Sequence, residues 1–70
     1  MLNFLSKKVV DFQKKKLDLA EGTLKKYIQE MKEFENTGDS KGIKNHKKMI
    51  KIWTQNIEKI KKEIKKIESR

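Results

Sequence analysis

Cysteine and proline are absent, glycine occurs three times, and the 70 residues include one histidine and a single arginine, Arg70. Without cysteine there is no disulfide staple, and a lone histidine cannot assemble a Cys/His metal site. Both usual aids to a very small domain are therefore closed, and self-association is the remaining way to bury more surface. The lack of proline and scarcity of glycine remove the residues that punctuate turn-rich folds. With 41% charged and 34% apolar residues, the composition suits long amphipathic helices better than a compact mixed fold.

Long apolar runs are missing too. No segment approaches the roughly 20 apolar residues of a membrane span. The opening stretch Met1 to Phe12 is interrupted by Lys7 and Lys8 and has no small-residue cleavage site after it, so it does not read as a signal peptide and a cytoplasmic location is expected. Catalytic chemistry finds no constellation. Ser6, Ser40 and Ser69 lack histidine and acid partners, and Gly22, Gly38 and Gly42 are scattered where a phosphate loop would cluster them. No catalytic, cofactor-binding or metal-binding residue is assigned, and the chain is read as non-enzymatic. Glu30, Glu33 and Glu35 read as a solvated face near Lys26 and Lys32.

What is present is periodicity, which separates this chain from a disordered one of similar charge. The turn formers Asn36-Thr37-Gly38-Asp39-Ser40 divide two long periodic segments. Gly38 suits a left-handed helix end, and Asp39 or Ser40 can cap the next helix. In the second segment Ile43, Ile50, Ile57 and Ile64 recur every seven residues, with His46, Trp53, Ile60 and Ile67 three further on. This is a heptad seam of coiled-coil type. The first segment answers with Val10, Leu17, Leu24 and Met31, and with Gln13, Ala20, Tyr27 and Phe34.

These patterns predict an all-α fold: an antiparallel two-helix hairpin occupying residues 1–70 as a single domain. Helix 1 spans about 2–36, the turn 37–40, and helix 2 about 40–69. Folding back at Gly38 sets Phe34 near Ile43, Met31 near His46, Tyr27 near Ile50, Leu24 near Trp53, Ala20 near Ile57 and Leu17 near Ile60. His46 then closes the turn end of the core. Trp53 sits in mid-seam, where Ala20 makes room for its ring.

A second apolar stripe lies off the seam. Leu5, Phe12 and Leu19 repeat every seven residues with Leu2 and Val9 beside them, while Met49 and Ile52 leave the seam of helix 2. A lone hairpin would leave this stripe wet, and helix 1 has about five residues that helix 2 cannot cover. Leu2, Leu5, Val9, Phe12, Leu19, Met49 and Ile52 are therefore the expected partner or dimer interface, with two hairpins forming a four-helix bundle.

Charge points to a second surface. From Gly38 onward eleven basic residues face four acidic ones, a balance of +7, whereas Met1 to Thr37 carries eight against six, or +2. Lys41, Lys44, Lys48 and Lys51 share one outer face, and no acid occurs between Lys41 and Ile57. Cations at a helix N-terminus oppose its dipole, so this face either binds an anionic partner or keeps a sticky bundle soluble. The near-absence of arginine argues against base-specific nucleic-acid recognition.

The leading expectation is a small protein-interaction module, a regulator or inhibitor presenting a helical face to a larger protein and associating with itself. The alternatives are a basic nucleic-acid-binding hairpin dimer and a secreted, membrane-active peptide of the bacteriocin type. The ten acidic residues weigh against a helix that sinks into lipid, which leaves a membrane-surface partner the poorest fit.

Overall fold

The computed structural model describes residues 3–69. Two helices, α1 (Phe4–Thr37) and α2 (Ser40–Glu68), pack against each other as an antiparallel hairpin measuring 52 × 14 × 11 Å. Helix α1 opens two residues later than the sequence pattern suggests, because Asn3 is its cap: the Asn3 side chain accepts from the Ser6 N–H at 2.7 Å. An asparagine oxygen in this position satisfies one of the amides that a helix start leaves unpaired. Leu2 lies outside the described residues.

The turn is shorter than the expected 37–40. Thr37 still belongs to α1, Ser40 already belongs to α2, and Gly38 and Asp39 alone connect them. Gly38 adopts φ 75°, a left-handed conformation that costs an L-residue roughly 1–2 kcal/mol and glycine nothing. The Gly38 and Asp39 amides both donate to the Phe34 carbonyl, which closes the helix end. Asp39 then caps α2, its carboxylate accepting from the Gly42 N–H at 3.0 Å. This one acid stands against the lysines that follow it and offsets part of their conflict with the helix dipole.

All sixteen seam positions turn inward. Val10, Ala20, Ile57, Ile60, Ile64 and Ile67 are buried, with Leu17, Leu24 and Trp53 packed against them. The remaining seam residues toward the turn are half-buried. The core is thus densest at the open end of the hairpin, where α2 contributes isoleucine at four successive inward positions. Near the turn the seam changes character: His46 lies edge-on to Tyr27 and Phe34, with centroid separations of 5.2 and 4.9 Å. That position between Tyr27 and Phe34 agrees with the expected level of Met31.

Gly42 is a packing requirement. A Cβ built there would lie 2.7 Å from Phe34 Cγ, inside van der Waals contact and against the root of the ring. Gly22 has open space around it. Two alanine substitutions should therefore move in opposite directions. Gly22→Ala should raise stability by about 0.5–1 kcal/mol through helix propensity, whereas Gly42→Ala should lower it by about 1–2 kcal/mol by overpacking. Urea midpoints of the two variants check both signs.

Candidate functional site

The hairpin carries two surfaces of opposite chemistry, and helical geometry keeps them apart. On α1, Phe12 and Leu19 fall two residues beyond the inward positions Val10 and Leu17, and Leu5 precedes Phe12 by the same seven residues, which turns all three away from the seam on one side. They are 72%, 62% and 75% exposed. Val9 and Ile52 are about half exposed, Met49 is half-buried, and Phe4, outside the expected set, is 71% exposed.

The two helices contribute to the same side. Leu19 and Thr23 line a groove with Trp53 and Asn56, and Ile52 borders Trp53 and Asn56 from the other direction. Of the expected interface residues, Leu19 of α1 and Ile52 of α2 are therefore brought to grooves beside Trp53, while Leu5, Val9 and Phe12 lie further along α1 toward the open end. Met49 contributes less than expected because it is partly covered already. The Trp53 indole Nε1 is buried with no hydrogen-bond partner among the described residues, so the floor of this groove offers shape and apolar surface and little polar anchoring. Phe4 to Lys8 extend past the end of α2, since α1 has 34 residues and α2 has 29. The Lys8 ammonium rests 4.7 Å from the centroid of the exposed Phe4 ring.

The lysine face lies elsewhere. Lys41, Lys44, Lys48 and Lys51 are all exposed and fall on the outer side of α2, away from the seam. Their spacing of 3, 4 and 3 makes one row of ammonium groups. The described residues give none of the four a salt-bridge partner. Lys14 differs: it bridges to Glu68 at 3.7 Å across the open end. Both side chains are about half exposed, so the pair contributes little to stability.

One polar arrangement escaped the sequence pattern. Glu30, read as part of a solvated acidic face, folds over the seam edge, and its Oε2 accepts from His46 Nε2 at 2.8 Å. His46 Nδ1 is buried and without a partner among the described residues. The pair joins α1 to α2 near the turn and fixes the orientation of the ring between Tyr27 and Phe34, which is a structural duty. Spacing alone could have hinted at it, because Glu30 flanks the seam one position before Met31.

The described residues hold no group of three or more His, Cys, Asp or Glu side chains placed to bind a metal. No helix among them is long and apolar enough to cross a membrane. The grooves are shallow and open. One on the opposite flank, formed by Leu24 and Ile28, is rimmed by Glu21, Lys25 and Lys32. Comparison with known proteins returns no match: no family model, no curated protein and no solved structure is significantly similar to this chain.

Proposed function

We propose that this chain is a non-enzymatic protein-interaction module, a regulator or inhibitor type of hairpin that works by laying its apolar flank on another protein and that dimerises through the same flank. One observation carries the reading. Leu5, Phe12 and Leu19 are 62–75% exposed in a single row, although the chain has ample charge to place on that side. Large apolar side chains repeated at seven-residue spacing on a solvent-facing flank cost solubility and add nothing to the hairpin itself. Coverage by a protein surface explains both the spacing and the exposure, and large apolar side chains of this kind are what anchor a helix in a groove.

A second reading rests on the lysine row. Four unpaired, exposed ammonium groups on one helix face could track a phosphate backbone. The geometry favours a solubilising role, because the row lies away from the apolar flank and includes neither an arginine nor an exposed aromatic ring for stacking. Binding to random RNA and duplex DNA at two salt concentrations separates the readings, using the wild type and Lys41→Gln/Lys44→Gln/Lys48→Gln/Lys51→Gln. Negligible binding by both proteins is expected. Tight wild-type binding that weakens by about three log units per log unit of salt, and is lost in the variant, would overturn the protein-binding reading.

A further inference from the structure

We infer that the occupant of the apolar flank is a second copy of this chain, docked antiparallel with α1 upon α1, offset so that Phe12 lies on the two-fold axis. The inference rests on the protein-binding reading and names its partner. It begins from area. A compact monomer of 8.4 kDa exposes about 4,600 Å², so the 5902 Å² of this hairpin is an excess of roughly 1,300 Å². A stable dimer of ordinary size removes about 800 Å² from each partner, which this excess can supply.

The offset follows from the spacing of the stripe. Leu5, Phe12 and Leu19 are equally spaced, each about 10.5 Å from the next along the helix axis. Reversing such a row about its middle member superimposes it on itself. An antiparallel two-fold through Phe12 therefore sets Phe12 on the partner's Phe12 and Leu5 on the partner's Leu19, as a self-complementary interface demands. Other two-fold arrangements fail on chemistry. Sliding the row until Leu19 meets the next position of its seven-residue repeat, the partner's Lys26, would bring Phe12 to the partner's Glu33. Crossing α1 over the partner's α2 would set Phe12 against the partner's Glu63 and Lys66. Each would set charged side chains on the apolar row, whereas the register through Phe12 sets apolar on apolar at all three positions.

Two further features agree with the offset. Residues Phe4 to Lys8 overhang α2 in one copy, and under this register they lie opposite Lys16 to Ala20 of the partner, so Leu5 enters the groove between the partner's Leu19 and the partner's Trp53. On α2, Glu63 and Lys66 continue the stripe of Ile52, Asn56 and Lys59 by helical spacing, and the hairpin register sets both near the level of Phe12. The same axis then brings Glu63 beside the partner's Lys66, and Lys66 beside the partner's Glu63. Two ion pairs of opposite sense flank the apolar centre. The result is a four-helix bundle over the open halves only, with the two turns at opposite ends.

The cysteine-free chain makes the register testable by single cysteines at three exposed positions whose side chains lie outside the hairpin core. Under mild oxidation Phe12→Cys should form a disulfide-linked dimer by itself. Leu5→Cys and Leu19→Cys should each stay uncrosslinked alone and form a mixed dimer when combined. Circular dichroism confirms that each variant keeps its helices. Self-crosslinking of Leu5→Cys and of Leu19→Cys would mean parallel helices and would overturn the register. A wild-type monomer in sedimentation at about 100 µM, with no crosslinking in any variant, would overturn the second copy as occupant. Self-association would then drop out of the proposed function, while the binding of another protein would survive and falls only if the nucleic-acid measurements above show salt-dependent binding.

Discussion

Truncating Trp53 to alanine should lower the unfolding free energy by about 3 kcal/mol, a third or more of what a domain of this size commonly has. The indole packs against the buried cluster alongside Leu24 while one edge borders the open grooves. Its partial exposure places the loss at the low end of the range for a large aromatic. Its Nε1 is buried and unpartnered among the described residues, so Trp53→Phe removes an unsatisfied donor while keeping most of the apolar ring. That variant should lose less than half as much. Both changes are read from denaturant midpoints at one fixed protein concentration, because the proposed dimer would make stability concentration-dependent. A loss below about 1 kcal/mol for Trp53→Ala would mean that the ring lies on the hairpin as a lid and is not part of its core.

The seam was legible because a heptad repeat reports directly on which side of a helix faces its neighbour. Ile43 to Ile67 on α2 and Val10 to Phe34 on α1 could be paired by counting back from Gly38. The packing of His46 between Tyr27 and Phe34 agrees with the counted pairing. The helix ends were less legible. Asn3 and Thr37 shifted each boundary of α1, because capping depends on which side-chain oxygen reaches which amide and several nearby residues could have done so.

Two features near the turn were not decided by the sequence pattern. Gly42 looks like a chance interruption in sequence, yet it admits the Phe34 ring to a distance that no side chain would permit. The capture of His46 by Glu30 depends on a side chain bending back over the seam edge, and a repeat pattern assigns Glu30 to solvent just as readily. In both cases the deciding fact is a three-dimensional distance between residues eight or more positions apart. The apolar flank lies between these extremes. Its residues were visible as a stripe, and the fold brings Leu19 and Ile52 to grooves beside Trp53, but no repeat within one chain states what covers them.

The polar triple variant Leu5→Gln/Phe12→Gln/Leu19→Gln should separate folding from association. Each of these side chains is at least 62% exposed in the hairpin, so replacing them removes little from the intramolecular core. Glutamine is also a good helix former, and α1 should keep its helicity. In the proposed dimer the same positions would supply the apolar centre of both partners. Even at about half the transfer energy of a fully buried side chain, three positions amount to roughly 3 kcal/mol per chain. That weakens self-association by more than about a hundredfold. Sedimentation should therefore show a helical monomer at concentrations where the wild type is dimeric, and the variant's thermal midpoint should no longer rise with protein concentration. If the variant instead loses its helices, the stripe belongs to the folding core of the hairpin. If it remains dimeric, association runs through another surface, such as the groove of Leu24 and Ile28 on the opposite flank.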